Sequence, residues 1–183
     1  LKSHWLVFLD YYFRLYHRIW PPEFKQQSDW AVILVDMQSC FLCNLPSLDA
    51  GRIIENQKEV LRYCAVHNIP IAVLEYTGSG RTIDELREQV IKIPRHEYFK
   101  KNRDNGFTNA DLDSQLKAWD VKRVLLMGIN AEACVIETAA GALRNGFAVA
   151  TSKQLIASPS HDLKELWYKE NGAWTNDWIN FFE

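Results

Sequence analysis

The chain is short of several features that would settle its class at once. Its 183 residues include only four cysteines, Cys40, Cys43, Cys64 and Cys134. A chain long enough to build its own core does not need a disulfide framework from so few. With no visible secretory signal, a reducing, cytoplasmic setting is expected. Charge of one sign is also missing. Lys and Arg total 21 against 23 Asp and Glu, a net charge of −2, which gives no basis for a nucleic-acid partner. No apolar run is suited to a membrane span. Residues 4–20, HWLVFLDYYFRLYHRIW, are too short and carry Asp10, Arg14, His17 and Arg18. Membrane contact is therefore not expected. H-E-x-x-H, G-x-S-x-G and phosphate-loop motifs are absent, as are internal repeats and low-complexity tracts. The GSG at 78–80 lacks the third glycine of a dinucleotide fingerprint and does not follow the first strand. CFLC at 40–43 has C-x-x-C spacing without a second pair or a histidine pair, so a structural role is expected rather than redox or metal chemistry. No resident metal or cofactor is expected.

What is present describes one soluble globular unit, 48% hydrophobic and 24% charged. The charged positions within 4–20 fall three to four apart, the spacing of an amphipathic helix. It would pack on its own domain, with docking on another subunit or an interfacial membrane contact as alternatives. PPEFKQQSD (21–29) follows as a linker, so residues 1–29 divide from a domain over 30–183. The tryptophans cluster toward the ends (Trp5, Trp20 and Trp30, then Trp119, Trp167, Trp174 and Trp178), as if the terminal segments pack onto something.

From residue 30 onward the patterns alternate. WAVILVD (30–36), IPIAVLEY (69–76), HEYFKK (96–101), KRVLLMG (122–128) and FAVATS (147–152) read as strands. Helical spacing covers 51–68, 82–92, 109–120, 131–145 and 160–172, and a further helix begins at 175. Thr82 with Glu85 makes a capping box, and Asn109 or Asp111 caps the next helix. Such alternation predicts a Rossmann-like three-layer α/β/α fold with a mostly parallel sheet of five or six strands.

Three chemically capable residues then share one rim. Asp36 ends the first strand, Lys101 the third, and Cys134 follows the fourth at the start of a helix. The carboxyl ends of parallel strands are where open α/β sheets place ligands. A helix N-terminus and a nearby cation lower a thiol's pKa to roughly 3.5–7.5; equally, cysteine is often an inert buried residue. Glu75 ends the second strand on the same rim and either binds substrate or forms a solvated or paired strand end. Tyr76 and Phe107 line the pocket or belong to the core. His96 reads as a strand-edge histidine, and Arg103 with Asp104 as a solvated turn.

Four stretches together resemble the isochorismatase-like cysteine hydrolases, a superfamily that includes nicotinamidases, N-carbamoylsarcosine amidohydrolases and ureidoacrylate hydrolases. AVILVDMQSCF carries the D-x-Q-x-x-F pattern through Asp36, Gln38 and Phe41. IPIAVLEY resembles the second strand. KKNRDNGFTNADLDSQL places Lys101, Phe107 and Leu112 at the family's spacing, which selects Lys101 over Lys100. LLMGINAEACVIETAAGALRNGFAVA matches the nucleophile segment at Gly128, Cys134, Val135, Thr138, Ala142 and Gly146. The resemblance implies a hydrolase that cleaves a C–N bond of a small amide, carbamoyl or ureido compound through a thioester. Asp36 would be its acid and base, Lys101 would stabilise the thiolate, and Cys134 would be the nucleophile. It further implies a cis Ile129–Asn130 peptide that aims the Asn130 and Cys134 amides into an oxyanion hole. Gln38, Phe41, Glu75, Tyr76 and Phe107 are the substrate-contact candidates, and homo-oligomerisation is implied. Asn130 reads locally as a turn residue capping the next helix. The chain departs from the family in lacking the metal-binding histidine of nicotinamidases after the second strand. It also has Asn105-Gly106 in place of Ser-Ala, and Gln154 in place of Asp. Two other readings are an isochorismatase-type enol-ether hydrolase using Asp36 as acid, and a non-catalytic binding or scaffold member.

Overall fold

A computed structural model describes residues 29–182; the helix expected over 4–20 and nearly all of the linker lie outside the described residues. Strand β1 (Trp30–Val35) is buried at every position, the mark of a strand covered on both faces. It lies at the centre of a six-stranded sheet of order β3-β2-β1-β4-β5-β6, parallel throughout. The flanking strands are β2 (Ile71–Tyr76), β3 (His96–Lys101), β4 (Arg123–Gly128), β5 (Ala148–Ser152) and the two-residue β6 (Trp174–Thr175). In chain order the helices are α1 (Ser39–Leu42), α2 (Ser47–His67), α3 (Asp84–Val90), α4 (Ala110–Ala118), α5 (Ile136–Arg144) and α6 (Glu165–Glu170). Register brings the ends together: Val35 pairs with Leu74 and with Gly128, and Tyr76 pairs with Lys101. The strand order reverses between β1 and β4, so their carboxyl ends flank the crevice where α/β sheets bind ligands.

Several expected boundaries moved, each for a local reason. Helix α2 starts four residues before the expected 51 and closes at Asn68, whose φ of 54° is left-handed. Asn109 caps α4 by accepting from the Asp111 N–H. The capping box at Thr82 does not form. Ile83 is the N-cap of α3, and the Thr82 N–H donates instead to the Glu75 carboxylate at 2.7 Å. Residues 160–164 are not helical, because Ser160 and Asp162 side chains accept the N–H groups of Asp162 and Lys164. Such local bonds compete with a helix. The helix expected from 175 is one 3-10 turn, Trp178–Phe181, capped by Asp177. Its aromatics pack on the start of the sheet: Phe181 and Phe182 each lie 5.6 Å from the Trp30 ring, and Phe182 stacks on Tyr63 at 5.1 Å. Among the described residues no helix is long and apolar enough to cross a membrane.

Candidate active site

Asp36 sits one residue beyond β1. Its N–H donates to Leu74 O at 3.0 Å and its own C=O accepts from the Gln38 N–H at 2.7 Å. This tight turn holds φ at 52°, a left-handed value that Asp tolerates better than most residues. The side chain is 1% exposed. Lys101 arrives from β3, where strand alternation buries Phe99 and Lys101 and turns Lys100 outward. Its ammonium lies 2.7 Å from Asp36 Oδ2. It also donates to Arg103 O at 3.1 Å and Asp104 O at 3.4 Å, and lies 4.7 Å from the Tyr76 ring centroid.

Cys134 is placed by β4. Gly128 has φ 139°, and a Cβ there would lie 2.1 Å from Val35 O. Only glycine lets the β4 end press against β1 so closely. The Ile129–Asn130 peptide is cis, and Ala131–Val135 forms a π-helical turn leading into α5. Within that turn the Ala131 N–H donates to Ala157 O, and those of Ala133 and Val135 to Asn130 O. Among the described residues the Asn130 N–H, which precedes the turn, meets no backbone acceptor. Among the described residues the Asn130 side chain makes no capping bond, and its buried Oδ1 accepts no hydrogen bond.

The structure therefore brings Asp36, Lys101 and Cys134 together, and adds a fourth group. Cys134 Sγ donates to Asp104 Oδ1 at 3.5 Å. Residues 103 and 104 are not merely a solvated turn: the Asp104 C=O is held by Lys101 Nζ and by Thr138 Oγ1 at 3.3 Å. In the sequence the only sign was position, since Asp104 is the sole acid between Lys101 and Phe107.

This crowding reverses one expectation about the thiol. Burial, and then the Asp36 and Asp104 carboxylates, push the Cys134 pKa up to about 12 against the pull of Lys101. Local reasoning counted a helix end and a cation, but the cation is already paired with Asp36. Burial likewise raises Asp36 above its ordinary range, outweighing Lys101 and the neighbouring thiol.

The remaining candidates have varied employment. Gln38 is fully buried; it donates to Tyr76 O and Gly80 O and accepts from the Tyr76 N–H, clamping β2 and the 77–80 loop to the end of β1. Glu75 accepts from Thr82 N and from Lys100 Nζ, each at 2.7 Å. Burial opposes its ionisation, yet these hydrogen bonds win and hold its pKa below the usual value. Both side chains thus tie the rim together. Phe41 meets Tyr76 edge-on at 6.1 Å, and the Tyr76 hydroxyl donates to Asn102 O. Phe107 turns toward Phe147 at 5.7 Å; Phe147 precedes β5, so that contact lies toward the amino ends of the strands. Cys40, on α1, and Cys43, its C-cap, are exposed thiols, and Cys40 Sγ donates to Ser79 O at 3.2 Å. A polar cleft of about 240 Å³, lined by Thr77, Lys100, Lys101, Asn102, Thr108 and Asn109, flanks the site without including Cys134. Among the described residues no three His, Cys, Asp or Glu side chains converge as a metal site.

The family model for the isochorismatase domain matches residues 30–171. The chain belongs to the isochorismatase family. It is 27% identical over 127 residues to a streptothricin hydrolase from Streptomyces noursei, covering 65% of this chain and 46% of that protein. The chain thus spans about half the length of that relative. Its fold is shared with the nicotinamidase of Staphylococcus aureus (TM-score 0.72, 20% identity, 81% of this chain and 98% of that one). It is likewise shared with the N-carbamoylsarcosine amidase of Thermoplasma acidophilum (TM-score 0.69, 21% identity, 79% and 93%).

Proposed function

We propose that the protein is a cysteine-dependent hydrolase that cleaves a C–N bond of a small amide, carbamoyl or ureido substrate through a thioester. The observation that carries this is the convergence of Asp36, Lys101 and Cys134 where the strand order reverses. Rotation about Cβ–Sγ turns the S–H proton from Asp104 toward the buried Asp36 carboxylate. Asp36 takes the proton as sulfur attacks the carbonyl carbon. The N–H groups of Asn130 and Cys134 hold the oxyanion. Asp36 returns the proton to the departing nitrogen, and the C–N bond breaks to leave the thioester. It then takes a proton from water, whose oxygen displaces the sulfur to give the acid or carbamate, and passes that proton to the departing sulfur to restore the thiol. Lys101 holds Asp36 in the basic form and offsets the negative charge on sulfur. Phe41 and Tyr76 wall the substrate, Gln38 and Glu75 frame the rim, and the protein works as a homo-oligomer with no resident metal or cofactor.

The test is an ammonia-release screen across small amides, carbamoyl and ureido compounds, with the acyl-enzyme located by mass spectrometry. An adduct on Cys134, lost in Cys134→Ala with the activity, is the expected result. One observation favours a second reading. Burial raises Asp36, and a protonated Asp36 is an acid able to protonate an enol ether. Under that reading Cys134→Ala spares the activity.

A further inference from the structure

Asp104 takes no proton in the mechanism just described, yet its carboxylate accepts the hydrogen bond of the resting thiol. Its carboxylate is 3.5 Å from Cys134 Sγ. Its backbone is pinned from two directions, by Lys101 Nζ and by Thr138 Oγ1, which also accepts the Gly106 N–H at 3.0 Å. The residue is exposed, and among the described residues no cation lies within ion-pairing distance of it.

A charge count shows what this does. Facing the thiol are Asp36 from the β1 end, Lys101 from the β3 end, and Asp104 from the turn after it. On the thiol's own segment, Glu132 is engaged by Ser160. Lys101 is paired with Asp36 at 2.7 Å, so Asp104 is left as an uncompensated negative charge beside the atom that must itself become negative. In an unliganded site that charge restrains the thiol. A ligand cation set against Asp104 would remove the restraint.

We infer that Asp104 selects substrates carrying a positive charge a few bonds from the scissile carbonyl, and that its neutralisation by that charge releases Cys134 for attack. The geometry limits the class. A carbonyl carbon about 3–3.5 Å from sulfur, with a cation in hydrogen-bond contact with Asp104, describes an α- or β-ammonium amide or a short guanidino amide. This deepens the proposed function and rests on it.

The experiment has two arms in a Cys40→Ser/Cys43→Ser background, which leaves Cys134 and the buried Cys64. The first follows alkylation of Cys134 by iodoacetamide against pH, in the parent and in Asp104→Asn. Without the charge the thiol should ionise at a lower pH, with alkylation faster by at least about twofold at a fixed pH. The second compares kcat/KM for two amides of the same shape, glycinamide with its ammonium and neutral propionamide. The parent should favour glycinamide by at least about tenfold. Asp104→Asn should lose that preference by gaining on propionamide and losing on glycinamide, and Asp104→Glu should keep it.

Unchanged alkylation together with an unchanged ratio overturns the inference. So does an equal loss on both amides, which would make Asp104 a proton acceptor. Acylation of Cys134 by neutral amides alone overturns it while leaving the proposed function intact. If no amide of either charge acylates Cys134, the proposed function fails and the inference falls with it.

Discussion

Replacing Lys101 by Met keeps the buried stem and removes the ammonium, which isolates what the charge does. At 2.7 Å from Asp36 Oδ2, the attraction is about 6 kcal/mol at an effective dielectric of about 20. Breaking buried pairs costs roughly 3–5 kcal/mol in practice. Asp36, 1% exposed, can escape most of that by taking up a proton. Its pKa, already raised by burial, climbs further, by about two pH units for about 3 kcal/mol. The folded state then keeps a proton that the unfolded state has lost, so stability falls as pH rises from the ordinary carboxylate value toward the folded one. Lys101→Met should therefore show its smallest deficit in urea unfolding at about pH 4 and a progressively larger one toward about pH 8. The lost bonds to Arg103 O and Asp104 O add a deficit that does not change with pH and cancels in that comparison. In kcat/KM, the acid limb should move up by about two pH units, because Asp36 is a base only when ionised. An acid limb that stays in place, or a stability deficit equal at both pH values, refutes the reasoning.

Three other outcomes follow from the same geometry. Gly128→Ala puts a Cβ 2.1 Å from Val35 O at a φ of 139°; it should cost at least about 4 kcal/mol in urea unfolding, and a loss below about 1 kcal/mol contradicts the packing. Gly141→Ala brings a Cβ to 2.3 Å from Asn105 Oδ1, which accepts the Phe107 N–H. It should cost about 1–3 kcal/mol, and adding Asn105→Ala should recover part of that in the double variant. Thiol labelling at neutral pH should modify Cys40 and Cys43, which are exposed, and leave Cys64 untouched until unfolding, since burial pushes its pKa up.

The strands were legible because the chemistry that makes them is local. WAVILV and IAVLEY are near-continuous apolar runs, and strands buried on both faces read that way. The three residues at the rim were legible too, since a parallel sheet puts strand ends on one side. The failures came from side chains bonding where the pattern did not point. Thr82 followed by Glu85 is a sound capping signal, but Glu75 takes the Thr82 N–H from seven residues away. SHDLKELWYKENG has helical spacing, yet Ser160 and Asp162 bond their own backbone before the first turn can form. Nothing in KNRDNG separates Asp104 from a solvated turn. What lifts it over Cys134 is Lys101, whose side chain reaches back to two carbonyls in the same hexapeptide.

The difficulty of ionising Cys134 does not count against its role as nucleophile; it specifies how the nucleophile must be made. A thiol pushed up to about 12 forms little thiolate by exchange with solvent at neutral pH, and that would be fatal to an enzyme relying on a standing thiolate. Here Asp36 is beside the sulfur, and passing the proton between them moves a negative charge from carboxylate to sulfur without changing the sum that Lys101 feels. The two groups therefore titrate as a pair, and bulk pH acts only on the pair as a whole. Activity should then hold a broad plateau, rising on the acid side as the pair loses its first proton and falling only at strongly alkaline pH. A pre-ionised cysteine would instead behave as a separate group with its own midpoint near neutrality. A narrow bell in kcat/KM with an alkaline limb near about pH 8, or rapid alkylation of Cys134 at about pH 7 in the substrate-free protein, would mean that the thiolate exists before the base acts.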